Sequence, residues 1–419
     1  MTPLLLSRRF LPLFCCQFFA AFNDNFLKTA LVFLILFGRS SNAEALITAA
    51  SAVFIGPYFF LSALGGELAD RHDKARVAQW IKFAEIFIAA IAAVGYALGS
   101  VAVVFAALFA FGILGALFGP IKYGILPDHL PRQRLPAANA LIEAATFIAI
   151  LTGTIAGGLA SRGHDAVLVT PLLVAVALAC WLSALFIPPT AAAAPAVRVQ
   201  ANIITATAAM IHHLRGDSRL WWAAMVTSWF WLMGIVVLSL LPPLIKARIG
   251  GDEMTVTAYL ALFSVAVGIG SWLAARVARG RIVLTTTLAG ALLMAAFSLD
   301  LALATLGAMP PGAALQGPGN VFHSALGLRV GVDFIGLAIG GGLFIVPVSA
   351  AVQTWSDVAY RARTIAAVNV LNAAFMTGAT VLVASLQKLG ATVPQLFLAL
   401  GIATLLVAVA IWRTRPKVT

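Results

Sequence analysis

The sequence predicts an all-α polytopic membrane protein, and three observations carry that prediction. Of its 419 residues, 62% are hydrophobic and only 10% are charged, with a mean hydropathy of +1.00. A water-soluble domain carries about 25% charged residues and has no way to bury this much apolar surface. The apolar runs are also continuous, without β-barrel alternation. Finally, a spanning helix needs roughly 20 apolar residues, so the length accommodates about a dozen spans with short connections.

Breaking the chain at charge clusters and Pro/Gly punctuation gives these spans in order. The first six cover 10–38, 43–69, 77–98, 101–127, 136–161 and 165–188. Arg8-Arg9 precedes the first, and the charged run from Asp70 to Arg76 separates the second from the third. Gly99-Ser100 ends the third, Pro131-Arg132-Gln133-Arg134 the fourth, and Arg162-Gly163-His164-Asp165 the fifth. Pro188-Pro189 closes the sixth and opens the longest polar stretch, 189–218. The second six cover 219–247, 254–279, 282–307, 327–355, 362–387 and 392–412. Their boundaries fall at Gly250-Gly251-Asp252, Arg279-Gly280-Arg281, the Gly/Pro-rich segment after Gly307, Ser356-Asp357 and Leu389-Gly390. The expected domains are an N-terminal six-helix bundle (1–188), a cytoplasmic linker (189–218) and a C-terminal six-helix bundle (219–419).

Charge sets the orientation. With both termini cytoplasmic, eighteen Lys and Arg residues fall on the cytoplasmic side. The opposite side holds only Arg39, Arg162, Lys246, Arg248, Arg329 and Lys388, a clear positive-inside bias. The net charge of +12 therefore reads as topology signals and anchors for anionic headgroups, not as a nucleic-acid surface. Cys15, Cys16 and Cys180 lie inside apolar runs, with no metal-ligand or disulfide spacing. The six histidines fall near span ends, again without ligand spacing, and no phosphate-binding loop is present. No metal and no cofactor are expected.

The two halves repeat. Leu68-Ala69-Asp70-Arg71 followed by Lys74 and Arg76 returns as Leu273-Ala274-Ala275-Arg276 followed by Arg279 and Arg281, in the same loop of each half. A duplicated six-span unit of parallel topology is the facilitator architecture. The motif, with Gly66 ahead of it, resembles the loop signature of the major facilitator superfamily. That resemblance implies the major facilitator fold, with 12 transmembrane helices in two six-helix bundles that rock about a central site. It also implies gating roles for Asp70, Arg71 and Arg76: the acid caps a neighbouring helix and the bases latch the halves on the cytoplasmic side. Ala275 replaces the acid in the second copy, which implies a weaker latch there.

Two segments carry a finer resemblance. They are Phe22-Asn23-Asp24-Asn25-Phe26-Leu27-Lys28 in the first span, and Lys122-Tyr123-Gly124-Ile125-Leu126 with Asn139-Ala140-Leu141-Ile142-Glu143 after it. They are similar to the bacterial lysophospholipid transporter family. The resemblance implies a flippase moving lysophosphatidylethanolamine and related lysolipids from the outer to the inner leaflet of the bacterial inner membrane by alternating access. Its partners would be the lysolipid, membrane lipids and, by functional coupling, a cytoplasmic acyltransferase that is not fused to a chain ending at Thr419. It would act as a monomer, and not as an enzyme. The family pattern has a basic residue in the seventh span, whereas Val236-Val237-Leu238-Ser239-Leu240 has none.

The intramembrane charges point the same way independently, because an ionisable residue inside a span is expensive and normally faces a cavity or a partner. Asp24 and Lys28 stand at i and i+4, where they either neutralise each other or face a ligand. Asn23 and Asn25 flank the acid and suit headgroup hydrogen bonds. Asp24 matches a lysolipid ammonium, and Lys122, beside Tyr123, matches its phosphate, unless Lys122 merely snorkels to the surface. Asn139 and Glu143 share a helix face and either line the cavity or bond between helices; Asn369 and Asn372 echo them in the second half. Lys82 and Glu85 read as a packing pair. Trp229 and Met233 offer an apolar wall for an acyl chain, against the default of lipid-facing packing. The Gly115/Gly119, Gly153/Gly157 and Gly336/Gly340 pairs have the spacing of close helix contacts. A second reading stays open: a proton-coupled major facilitator exporter of drugs or small metabolites, using Asp24 or Glu143 as its titrating carboxylate. A lipid enzyme lacks the His-based constellation it would need.

Overall fold

The computed structural model describes residues 2–37, 43–161, 166–308 and 315–416. Twelve helices among the described residues are long and apolar enough to cross a membrane. The first six are α1 (Leu11–Phe37), α2 (Ala43–Arg71), α3 (Lys74–Ala97), α4 (Val101–Gly124), α5 (Leu135–Ala160) and α6 (Ala166–Leu185). The second six are α7 (Ser218–Leu244), α8 (Glu253–Ala278), α9 (Leu284–Leu306), α10 (Ala325–Trp355), α11 (Arg361–Lys388) and α12 (Val393–Thr414). Arg39, Arg162 and Lys417, which entered the charge reading, lie outside the described residues.

Short polar side chains set the helix starts by satisfying the first free backbone N–H groups. Asp73 accepts from Ala75 N at 2.9 Å, which is why α3 begins at Lys74 rather than near 77. Ser100 caps α4. Asp252 caps α8, and the Thr255 backbone and hydroxyl hydrogen bonds hold its carboxyl below the usual carboxylate range.

The stretch 189–218 is not simply a polar tether. Its second half forms a linker helix, Ile203–Gly216, capped by Asn202, which accepts from Ile204 N and Thr205 N. Ala206, Met210 and Leu214, spaced four apart, form its buried stripe. Its first half is stitched to the α2–α3 corner. Thr190 N donates to Asp73 at 2.9 Å, Ala194 N to the Asp70 carbonyl at 2.7 Å, and Gln200 N to Glu67 at 2.9 Å.

The chain divides into two compact units. Unit 1 comprises Met1–Ala138, Ile148–Ala224 and Val352–Ala373; unit 2 comprises Asn139–Phe147, Met225–Ala351 and Ala374–Thr419. In unit 1, Phe26, Leu31 and Ile35 of α1 pack with Tyr96 of α3, Phe111 of α4 and Leu173 of α6 in one buried cluster. Cys16 and Cys180 meet in the same α1–α6 contact as free thiols, sulfurs 3.8 Å apart.

Glycine permits the closest approaches. A Cβ on Gly153 of α5 would strike the Phe22 carbonyl of α1, and one on Gly157 would lie 2.8 Å from the Phe26 carbonyl. In unit 2, Gly342 of α10 sits against the backbone of Gly270 and Ser271 on α8. These contacts are van der Waals packing between backbones, the main attraction available to helices in lipid. Gly153→Ala is expected to destabilise the protein by about 1–3 kcal/mol through overpacking. Gly378→Ala, at an exposed site with nothing within 4 Å, is expected to leave thermal unfolding in detergent unchanged.

Candidate functional site

In unit 1 the intramembrane charges gather on α1, α3 and α4. Asp24 and Lys28 are both half-buried, and among the described residues neither side chain makes an ion pair or a hydrogen bond. Mutual neutralisation, one of the two readings left open by their spacing, is therefore not what the structure holds. The charges that act on Asp24 come instead from Glu85, Lys82 and Lys122. Lys82 and Glu85 pair at 2.6 Å with both side chains almost fully buried, and the Lys82 ammonium lies 4.3 Å from the Phe118 ring centroid. They do pack, as their spacing predicts, but they also belong to the electrostatic surroundings of Asp24. Spacing along α3 could not reveal this, because the contact crosses between helices.

The flanking asparagines do other work. Asn23 is fully buried and its amide donates to the Leu173 carbonyl of α6 at 3.2 Å, so it fastens α1 to α6 instead of offering that amide to a headgroup. Asn25 turns its amide onto Ala21 of its own helix at 2.8 Å. Lys122, half-buried in the last turn of α4, lies 4.9 Å from the Tyr123 ring centroid. Asn369 of α11 is half-buried beside Gly119, whose missing side chain makes room for its amide, and Asn372 is buried one turn further on.

Unit 2 contains Asn139 and Glu143 on α5, at most 1% exposed and both engaged with neighbours. It also contains a small apolar pocket, lined by Phe147, Phe230, Met233, Phe263, Met294 and Leu337 among others. Met233 belongs to this wall and accepts a hydrogen bond from the Thr404 hydroxyl at its sulfur. Trp229 does not line the pocket; its neighbour Phe230 does. A helix turns about 100° per residue, so adjacent aromatics face different ways.

The loop motif forms a charged latch within unit 1. Asp70, fully buried, accepts from the backbone N–H groups of Ala362 (3.0 Å) and Arg363 (3.2 Å) at the start of α11, and from Arg363 Nε at 2.9 Å. It is thus an N-terminal cap delivered from a distant helix, where a negative charge also meets the positive end of the α11 dipole. Gly66 permits the approach, since a Cβ there would press on Arg363 and Ala366. The two arginines of the motif sit differently from the gating expectation. Among the described residues, Arg71 is exposed with no partner, and Arg76, 80% exposed, reaches only Asp73 at 3.9 Å. Lying on the outer side of the corner, both point to solvent. The cations that do lock are Lys74, 2.9 Å from Asp128, and Arg361, 3.2 Å from the same carboxylate. Asp128 follows the Lys122–Leu126 motif, and its helix-end position beside Pro127 was the available signal.

Twelve helices able to span a membrane, with ionisable groups held within them, are the materials of a membrane carrier. Residues 13–332 match the family model of the Major Facilitator Superfamily. The lysophospholipid transporter LplT of Serratia proteamaculans (strain 568) is 30% identical over 356 residues, 83% of this chain and 81% of that protein. LplT of Yersinia pestis (strain Pestoides F) is 30% identical over 361 residues, covering 83% and 79%. The chain belongs to the major facilitator superfamily and, within it, to the LplT family. Among solved structures, human MFSD10 superposes with a TM-score of 0.76 at 14% identity, over 96% of this chain and 98% of that one. The transporter FucP gives 0.70 at 15% identity, over 98% and 100%. At these identities the two likenesses concern the fold alone.

Removing Asp128 would strand two buried cations. Asp128→Ala is expected to destabilise the protein by about 3 kcal/mol, seen as a lower unfolding temperature, whereas Arg71→Ala is expected to leave that temperature unchanged.

Proposed function

We propose that this protein carries lysophospholipids such as lysophosphatidylethanolamine across the bacterial inner membrane, from outer to inner leaflet, by alternating access and without covalent chemistry. The observation that carries the reading is the unpaired Asp24–Lys28 face of α1 in a chain of the LplT family. A zwitterionic headgroup supplies the two charges that face lacks. Asp24 takes the ammonium, and Lys28 with Lys122 takes the phosphate, as complementary point charges. Separately, the apolar side chains around the small pocket of unit 2 are the proposed contacts for an acyl chain. Asn369 and Asn372 add polar contacts from α11, and Asn139 and Glu143, both buried in unit 2, are retained as candidate ligands.

The six-plus-six division with a cytoplasmic linker and cytoplasmic termini is supported by the excess of Lys and Arg in the corresponding connections. Asp70 with Arg363, and Asp128 with Lys74 and Arg361, form the cytoplasmic gate. The flipped lysolipid would then be available for reacylation by a cytoplasmic acyltransferase, and the carrier works as a monomer.

Uptake of labelled lysophosphatidylethanolamine into proteoliposomes tests the reading. Saturable uptake by the wild type is expected, lost in both Asp24→Asn and Lys122→Ala while each unfolds at the wild-type temperature. Saturable uptake of small hydrophilic metabolites instead of lysolipid would contradict it. In the chain pocket, Phe230→Ala is expected to weaken long-chain lysolipids more than short ones, by about fourfold for each methylene no longer buried. Equal weakening at every chain length would remove the pocket from the proposal.

A further inference from the structure

Beside its charges, unit 1 holds a neutral polar group that nothing in the fold satisfies. Tyr58 of α2 is half-buried, and among the described residues its hydroxyl makes no hydrogen bond. Its place is fixed from both sides. Gly112 of α4 admits the Phe54 carbonyl of α2, and Gly65 of α2 lies against the Leu117 backbone of α4, so the two helices touch on either side of Tyr58. Between those contacts Gly115 leaves a slot for the phenol. A Cβ there would lie 2.5 Å from the Tyr58 hydroxyl oxygen and 3.3 Å from the ring carbon that bears it. Gly115, Phe118 and Lys122 stand at i, i+3 and i+7, on one face of α4. The Lys82 ammonium sits over Phe118 on that face. The phenol therefore enters among the charged groups already described, within electrostatic reach of Asp24 and Lys82.

Packing alone does not call for this hydroxyl. A phenyl ring would fill the slot, and a hydroxyl left unpaired in hydrocarbon is a cost. By contrast, the buried Tyr259 of α8 spends its hydroxyl on the Gly327 carbonyl at 2.7 Å. Tyr58 instead keeps one donor and two acceptor lone pairs for a partner that comes and goes. A neutral phenol is not the match for an ammonium or a phosphate, and in the lysolipid reading those charges already have Asp24, Lys28 and Lys122. The rest of a lysolipid's polar region is neutral: a glycerol with one ester and one free hydroxyl. That hydroxyl both donates and accepts, as the phenol does. It is also the group that a second acylation removes, leaving an ester that only accepts.

We propose that Tyr58 is a specificity residue, whose hydroxyl hydrogen-bonds the free glycerol hydroxyl of a single-chain phospholipid, a group the diacyl lipid lacks. Gly115 is its positioning residue, because the missing side chain is what admits the phenol. The inference deepens the lysolipid reading above and rests on it.

Equilibrium binding to the purified full chain tests this with two probes: lysophosphatidylethanolamine, and its analogue with hydrogen in place of the free glycerol hydroxyl. The wild type is expected to bind the natural lipid about tenfold more tightly than the analogue, the effect of one hydrogen bond made or left unmade. Tyr58→Phe keeps the ring and is expected to bind both lipids alike while unfolding at the wild-type temperature. If Tyr58→Phe does not fold, Gly115→Ala, whose Cβ displaces the phenolic oxygen, is expected to abolish the same preference. A purely structural role for either residue would weaken both lipids by the same factor and leave the preference intact. A preference that survives in whichever variants fold would overturn the role of Tyr58 and leave the lysolipid reading standing. So would saturable wild-type binding of both lipids with equal affinity. Saturable binding of neither lipid by the folded wild type would overturn the lysolipid reading and this inference with it.

Discussion

The cost of placing an ion in hydrocarbon governs this molecule. A charged side chain at the centre of a spanning helix costs about 2.5–3.5 kcal/mol even on the most lenient scale. Most of the charges within and at the ends of the spans meet that cost by pairing: Lys82 with Glu85, Asp70 with Arg363, Lys74 and Arg361 with Asp128. Asp24 and Lys28 do not. These two opposite charges, one helical turn apart, are the pair we propose as the receptor for a zwitterionic headgroup.

The same economy shapes the latch. Asp70 could not remain fully buried as a simple surface acid; it needs the free N–H groups at the start of α11, and Gly66 to bring the helices close enough. The first half of the linker is hydrogen-bonded to that corner through Asp73, Glu67 and the Asp70 carbonyl. The segment joining the sixth and seventh helices is therefore tied to the residues that hold α11.

Hydropathy and punctuation made the twelve helices legible, because a spanning helix is defined by its own composition. The loop motif was legible too, since it recurs. What could not be read were contacts decided by the third dimension. Asn23 looked like a headgroup donor, yet its amide is committed to α6. Arg71 and Arg76 looked like the latch, yet the corner points them outward and Lys74, Arg361 and Arg363 take the partners. Trp229 looked like a pocket wall, and the rotation of one residue gave that place to Phe230. The linker helix had a readable signal in Asn202 followed by Ala206, Met210 and Leu214, but in so short an element it was masked by the surrounding polar residues.

The claim at the centre is that one molecule must satisfy both charge and hydrocarbon, and equilibrium competition tests it most directly. Labelled lysophosphatidylethanolamine bound to the purified wild type would be challenged with the unlabelled lipid, with glycerophosphoethanolamine and with a long-chain alcohol. Displacement by the intact lipid alone, at concentrations where neither fragment competes, is the expected result. Full displacement by the headgroup fragment alone, or binding that never saturates, would contradict it.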